Sequence, residues 1–105
     1  MKSIKINDIN LILGQNAKEN HIIIDNADPN DWWFHLDDYP SGHCIIETFE
    51  LTNELIVNAA NLVKENSKLK NNKKLKVVYL QVKNIKKTKN PGEVRLLKKG
   101  QYFYI

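Results

Sequence analysis

The residues best suited to chemistry lie in one segment, residues 28–46, which reads DPNDWWFHLDDYPSGHCII. It contains both tryptophans, two of the three histidines, the only cysteine and two of the three prolines. In a hydrolytic interpretation, His35 and His43 act as acid and base, a neighbouring aspartate orients one of them, and Cys44 is the nucleophile. These residue types suit such a reaction, so the hypothesis is kept as an alternative.

The position of Cys44 argues against this chemistry and against a zinc site. Two isoleucines follow it in a β-type run, so we expect a buried, unreactive thiol. A zinc site built from His35, His43 and Cys44 lacks a fourth ligand at any usual spacing, and His21 could supply one only through the fold. The sequence also has no glycine-rich phosphate loop. We therefore expect no catalytic residue, no bound metal and no cofactor.

Three consecutive aromatic residues, Trp32, Trp33 and Phe34, stand in the middle of the same segment. Such large side chains usually belong to the core. Neighbouring residues on a strand point to opposite faces, so the two indoles cannot share one face. One of them should therefore face a second layer, a groove or a partner, and the sequence leaves open which one.

Charge is divided unevenly along the chain. Residues 1–63 hold three lysines against ten acidic residues, a net charge of −7. Residues 64–105 hold twelve lysines and Arg95 against two glutamates, a net charge of +11. A basic half of this kind predicts a polyanionic partner, above all nucleic acid. The alternative is a solvated lysine-rich surface with no such ligand.

Patterns along the chain predict an α+β domain with a mostly antiparallel sheet, one long helix and one short helix. Two short strands should form a hairpin that ends at Gly14, and Asn16 followed by Glu19 has the spacing of a helix cap. The short helix would run towards Ala27, although its isoleucine run also suits a strand. Thr52 caps the long helix, in which apolar residues recur at helical spacing.

The remaining elements are predicted to be strands and turns. The central segment reads as strand, turn and strand, with the turn over 37–42. The strongest strand prediction covers Leu75–Ile85, which is apolar on both faces like a central strand. A turn with three lysines follows over Lys86–Gly92, and Glu93–Leu97 should pair with Gln101–Ile105 as a final hairpin.

Length and composition fit one soluble domain that occupies residues 1–105. Hydrophobic residues make up 42% of the chain. No apolar run approaches the length of a membrane span, and the N-terminus lacks the apolar core of a secretory signal. A single cysteine suits a reducing compartment, so we expect a cytoplasmic protein that is not in a membrane.

Several groups of residues, spread from about Leu11 to Val94, form a combined pattern. They are Gly14-Gln15-Asn16 with Glu19-Asn20, Asp31 with Trp33-Phe34-His35, Pro40-Ser41-Gly42-His43, Ala59-Ala60, Tyr79 with Val82-Lys83-Asn84-Ile85-Lys86-Lys87, and Pro91-Gly92-Glu93-Val94. Together they resemble the NFACT-R domain, the RNA-binding module of ribosome-associated quality-control factors, which also occurs in shorter coiled-coil proteins. The stretch 62–67 is similar to that shorter branch. Gln15 replaces a residue that is usually basic, and Ser41-Gly42 reverses the usual Gly-Ser.

The resemblance implies a non-enzymatic RNA-binding module for tRNA or ribosomal RNA, with the ribosome as a further partner and DNA as an open alternative. The other hypotheses are a protein-interaction adaptor and a histidine-dependent hydrolase. Activities that need the other domains of the long members are not implied. The candidate phosphate contacts are Lys68, Lys70, Lys83, Lys86, Lys87 and Arg95. His35, His43 and one of Trp32 and Trp33 are expected to line a groove for stacking or hydrogen bonding.

Overall fold

The computed structural model describes every residue from Met1 to Ile105. In chain order the elements are β1 (Lys2–Ile6), β2 (Ile9–Gly14), α1 (Ala17–Asn26), β3 (Trp32–Leu36), β4 (His43–Ile46), α2 (Asn53–Glu65), β5 (Lys76–Gln81), a 3₁₀ turn (Val82–Asn84), β6 (Ile85–Lys87), β7 (Val94–Leu96) and β8 (Gln101–Tyr104). Six strands form one antiparallel sheet in the order β1-β2-β4-β3-β5-β8, and β6 pairs with β7 in a separate small sheet. The predicted α+β class, with one long and one short helix, is confirmed.

The N-terminal hairpin and the start of α1 form where the sequence places them. Asn7 and Asp8 make the two-residue turn between β1 and β2, with φ values of 50° and 68°. Positive φ at both positions matches the twist of the flanking strands. Asn16 Oδ1 accepts a hydrogen bond from Glu19 N–H (2.9 Å), so the isoleucine run that follows is helix rather than strand. Neither α1 nor α2 combines the length and apolar character needed to cross a membrane.

Helix α2 covers one face of the large sheet and forms the main core there. Thr52 Oγ1 accepts from Leu55 N–H (3.2 Å) and stabilises the start of this helix. The apolar stripe of α2 packs onto alternate side chains of the strands beneath it, as the pattern predicts. The buried residues of this core are Leu11, Leu13, Phe34, Leu36, Cys44, Ile46, Leu55, Ala59, Ala60, Leu62, Val63, Leu75, Val77 and Tyr79.

Helix α1 and the small sheet cover only part of the opposite face. They enclose a second core, whose buried members are Ile23, Ile24, Trp33, Ile45, Val78, Leu80 and Ile85. Two polar contacts attach the small sheet and its turn to α1. Gly92 N–H donates to His21 Nε2 (3.0 Å), and Lys87 forms an ion pair with Asp25. Next to this attachment, the ends of β3 and β4 remain open to a cleft.

The strand predicted over Leu75–Ile85 is wrong in its second half, because β5 ends at Gln81. Val82 N–H donates to Asp31 O (2.8 Å) instead of to a strand partner, and a 3₁₀ turn follows. The chain leaves the large sheet at this point. It then enters the small sheet through β6.

The final hairpin predicted between Glu93–Leu97 and Gln101–Ile105 does not form. Strand β7 pairs with β6, and β8 pairs with β5. The turn predicted over Lys86–Gly92 accordingly begins later, because its first two residues belong to β6. The reason lies at Gly100, which is buried, and where a Cβ atom would lie only 2.4 Å from Val78 Cγ2. The chain passes closely against the sheet here rather than turning back in solvent.

Candidate nucleic-acid interface

A cleft of about 920 Å³ opens on the α1 side of the large sheet. Trp33 and His35 line it from β3, and His43 lines it from β4. Its other sides are formed by the start of α1, the turn between β3 and β4, the segment after α2, and β7 with the turn before it. Four separate parts of the chain therefore meet around the three rings.

Trp33, His35 and His43 form what we call the three-ring cluster. Trp33 and His35, two residues apart on β3, stack with their planes 5° apart and their centroids 5.6 Å apart. His43 stands edge-on to both, with centroid distances of 5.4 Å to Trp33 and 4.8 Å to His35. Trp33 is 2% exposed and His43 is 1% exposed, whereas His35 is only partly buried. His35 is therefore the most accessible ring of the cluster.

Hydrogen bonding decides which nitrogen of His43 carries a proton. Trp33 Nε1–H can only donate, and it donates to His43 Nδ1 over 3.0 Å. His43 Nδ1 is therefore unprotonated, and Nε2 carries the proton of the neutral ring. Burial lowers the pKa of His43 to about 3, with charge on His35 and His21 acting in the same direction. At neutral pH His43 is thus uncharged, and its remaining donor, Nε2–H, lies towards the Gly92 carbonyl, which partly opposes the effect of burial on the pKa.

His35 offers the complementary group. Its Nδ1 is hydrogen-bonded to the carbonyl of Leu36, and a carbonyl only accepts, so Nδ1 carries the proton. Burial lowers the pKa of His35, while the Leu36 carbonyl and Asp37 oppose that effect. In the neutral ring, Nε2 is a bare acceptor. A donor on His43 and an acceptor on His35 therefore lie in adjacent rings.

The backbone that carries His43 is held by the start of α1. Asn20 Oδ1 accepts from His43 N–H over 3.1 Å. Gly14 lies opposite His43 in the pairing of β2 with β4. A Cβ atom on Gly14 would lie 2.3 Å from Asn20 Oδ1, so only glycine leaves room for this amide. The small residue before α1 and the amide within it together position the histidine.

The cleft itself is not basic. Asp37, Asp38 and Glu93 line it, and Lys68 is the only cation that does so. The start of α1, where the helix dipole is positive, also faces the cleft. However, the Glu19 carboxylate in its first turn already accepts a backbone N–H (3.1 Å). Its ion pair with the N-terminal ammonium (2.8 Å) lowers the Glu19 pKa. The interior of the cleft therefore suits a neutral group better than an anion.

Two of the predicted cations lie on the small sheet and face away from the cleft. Lys86 and Arg95 are directly opposite each other on β6 and β7, and both are exposed. The two neighbours of Arg95 on β7, Val94 and Leu96, line the cleft. Because side chains alternate along a strand, Lys86 and Arg95 share the other face of this sheet, which we call the outer face. Neither takes part in an ion pair within the chain.

The remaining predicted cations have different surroundings. Lys87 pairs with Asp25, so an acid of the chain already neutralises this lysine. Lys83 lies in the 3₁₀ turn rather than on a strand, and its Nζ donates to Asn30 Oδ1 over 3.2 Å. Lys70 is exposed after α2 and does not line the cleft. The six predicted cations thus differ in element, partner and exposure.

The two tryptophans lie on opposite faces of the sheet, as alternation requires. Trp33 is the one beside the cleft. Trp32 is partly buried at the edge of the α2 core, and its Nε1–H donates to Phe49 O over 2.9 Å. Lys98 and Lys99 line a small pocket of about 30 Å³ together with Trp32. These two lysines were not among the predicted site residues, because the sequence marked them only as part of a turn.

His35 and His43 are brought together, but Cys44, the third residue of the hydrolytic and zinc hypotheses, lies apart from them. Cys44 follows His43 on β4 and points to the opposite face, into the α2 core. It is fully buried, as predicted, and burial raises its pKa to about 12. The chain contains no group of three or more His, Cys, Asp or Glu side chains placed to hold a metal ion. His21 Nε2 accepts the Gly92 N–H.

Residues from several separate motifs of the sequence pattern converge on the cleft. Gln15 and Asn16, residues 40–43 and residues 91–94 all line it. The prediction of site residues missed Gln15 and Asn16, although the motifs contained them. It also missed Tyr39, a 53% exposed ring in the turn between β3 and β4, for which the sequence gives no signal.

Comparison with known proteins identifies the class to which this fold and cleft belong. Residues 3–104 match the family described as the NFACT protein RNA binding domain, and the chain is a member of that family. It is similar to the Rqc2 homolog RqcH of Bacillus subtilis (strain 168), with 28% identity over 80 residues, which covers 75% of this chain and 14% of that protein.

Two further relatives are the coiled-coil domain-containing protein 25 of Bos taurus and that of Mus musculus. The bovine protein is 32% identical over 88 residues, covering 74% of this chain and 41% of that protein. The mouse protein is 30% identical over 96 residues, covering 82% and 45%. Among solved structures, the C-terminal part of the fibronectin/fibrinogen-binding protein from Streptococcus suis has the same fold. The TM-score is 0.90 at 22% identity, over 98% of this chain and 44% of that chain. The chain spans less than half the length of each of these relatives.

Proposed function

We propose that residues 1–105 act as one non-enzymatic RNA-binding module, which contacts tRNA or ribosomal RNA in the cytoplasm and works with the ribosome in quality control. Membership of an RNA-binding domain family supports RNA as the ligand. The similarity to an Rqc2 homolog supports the link to quality control. The strongly basic second half of the chain agrees with a polyanionic partner.

The observation that carries the proposal is the pairing of Lys86 with Arg95 on the outer face. Like charges directly opposite each other on antiparallel strands destabilise a sheet. Both side chains are exposed, and no carboxylate in the chain neutralises either of them. A phosphate group bound at this face would offset the repulsion and accept charge-assisted hydrogen bonds from both side chains.

Lys87 provides a matched comparison for this surface. It is adjacent to Lys86 in β6, its replacement by alanine removes the same charge, and its side chain is already paired with Asp25. Replacement of Lys86 should therefore weaken RNA binding, whereas replacement of Lys87 should have a smaller effect.

The test titrates the chain and the variants Lys86→Ala and Lys87→Ala with tRNA and with an unrelated single-stranded RNA at several salt concentrations. For Lys86→Ala we expect weaker binding to both RNAs by a similar factor, and a log-log salt slope lower by somewhat under about one unit. Circular dichroism checks that each variant is folded. Unchanged affinity in folded Lys86→Ala removes the outer face from the interface. Absence of salt-dependent RNA binding by the unmodified chain contradicts the proposed function.

A further inference from the structure

The chemistry of the cleft differs from that of the outer face, and we propose that the cleft receives one unpaired nucleobase of the bound RNA. This inference rests on the proposed function and adds the chemical group that the cleft recognises. Lys86 and Arg95 would hold phosphates on the outer face, while the ring of one nucleotide enters the cleft on the other side of the small sheet.

Charge favours a neutral ring over a phosphate inside the cleft. Three carboxylates line it against one lysine, Lys68. Asp37 is paired with Lys76 (3.7 Å), so Asp38 and Glu93 are the two that no lysine neutralises. They would repel a phosphate, whereas a nucleobase carries no net charge. Lys68 is exposed and can contact the sugar-phosphate chain where the base enters.

The three-ring cluster supplies a surface for stacking. Single-stranded RNA is commonly bound by stacking its bases on aromatic and histidine rings. Trp33 and His35 already form a parallel stack, and His35 is its more accessible ring. A base placed against His35 would extend this stack. The volume of about 920 Å³ lies within the range of about 300–1,000 Å³ typical of pockets for small organic ligands, so a nucleoside fits.

The hydrogen-bonding groups of the cluster suit the edge of a base that is not paired. His35 Nε2 is an acceptor, and His43 Nε2–H in the adjacent ring is a donor that the base would share with the Gly92 carbonyl. Each of the four RNA bases has a donor next to an acceptor on its Watson–Crick edge. In a base pair both groups are already used, so only an unpaired base can offer them. We therefore expect the cleft to select unpaired bases and to discriminate little among the four.

A first experiment detects the base without RNA. The 105-residue chain is titrated with adenosine and uridine 5′-monophosphates, and with ribose 5-phosphate as the control, while the indole N–H signals are followed by NMR. Both nucleotides should shift the Trp33 signal, because the ring lies in the cluster, and leave the Trp32 signal nearly unchanged. Ribose 5-phosphate should shift neither.

A second experiment measures the contribution of the stack to RNA affinity. His35→Ala should weaken binding of an unstructured single strand by about 5- to 150-fold, the range for loss of one base stack. The salt slope should not change. His35→Phe, which keeps a ring but lacks the acceptor, should recover part of the loss. Tyr104→Ala removes a 61% exposed ring on β8, outside the cleft, and should bind like the unmodified chain.

The outcomes separate this inference from the proposed function. The proposal that the cleft binds a base is overturned if millimolar nucleotides leave the Trp33 signal unshifted. It is also overturned if ribose 5-phosphate shifts that signal equally, even if RNA binds through Lys86. Nucleotide binding at the cleft in a chain with no affinity for RNA supports the cleft and rejects the proposed function. An unstructured peptide that shifts Trp33 where nucleotides do not overturns the inference in favour of a protein ligand.

Discussion

The free energy of unfolding should fall in acid, because His43 has a lower pKa in the folded chain than in the unfolded chain. Burial of the ring, with charge on His35 and His21 acting in the same direction, keeps its pKa at about 3 against an ordinary value of 6.5. Between these two values the unfolded chain binds more protons than the folded chain. The stabilising contribution of neutral His43 is therefore fully present above the ordinary value. It is lost progressively as the pH falls towards 3.

The expected loss from His43 alone is about 2 kcal/mol between pH 7 and pH 5, from linkage between the two pKa values. Burial lowers the pKa of His35 as well, so this ring acts in the same direction. Small domains have a total free energy of unfolding of about 5–15 kcal/mol, which makes such a loss measurable. Most carboxylates titrate below this pH range and contribute little within it. Burial raises the pKa of Asp31, so protonation of that group acts in the opposite direction to His43.

Urea unfolding at pH 7, 6 and 5 measures this effect. His43→Asn keeps an acceptor near the position of Nδ1 but cannot titrate, so its pH dependence should be flatter by about 2 kcal/mol over this range. His21→Gln removes a histidine outside the three-ring cluster and should keep most of the pH dependence. A loss below about 0.5 kcal/mol in the unmodified chain, or an unchanged pH dependence in His43→Asn, would refute the reasoning.

Two further predictions follow from single buried positions. Cys44 should react slowly with alkylating reagents in the folded chain, because it is buried in the α2 core and its pKa is about 12; modification at the rate of a free thiol would contradict this. Gly14→Ala should lower the free energy of unfolding by about 1–3 kcal/mol, since the new Cβ would lie 2.3 Å from Asn20 Oδ1. Urea unfolding measures the change, and undiminished stability would show that the contact relaxes at no cost.

Features set by residues close together in sequence could be predicted. The caps at Asn16 and Thr52 depend on bonds to N–H groups three residues further on, and the turn at Asn7-Asp8 joins two adjacent strands. The arrangement of Trp33 and His35 was also predictable from nearby residues, because alternation along β3 puts these two on one face and Trp32 on the other. Only the choice between the two indoles required the fold.

Features set by distant residues could not be predicted. The apolar pattern continues past Gln81, but the bond from Val82 N–H to Asp31 O ends the strand. Gly100 looks like a turn residue, yet its role is to let the chain pass close to Val78. Each of these contacts joins segments far apart in the chain, so no local pattern reveals it.

The directions of the charged side chains were the least predictable part of the site. The sequence placed Lys86 and Lys87 in a turn. It did not show that Arg95 would lie opposite the first or that Asp25 would neutralise the second. Nor did it show that acids would outnumber lysines around the histidines. The electrostatic contrast between cleft and outer face arises only when β6 and β7 pair and α1 packs beside them.

The placement of the two tryptophans allows both faces of the sheet to be followed by intrinsic fluorescence. Trp33 lies in the cleft, whereas Trp32 lies on the α2 side beside the loop at Phe49. Each face of the sheet thus carries one native fluorophore. In a Trp32→Phe variant the remaining emission would report on the cleft and on the core that contains Trp33, and the unmodified chain would add the signal of the α2 side. Ligand entry and loss of the core can therefore be recorded in the same molecule without an attached dye.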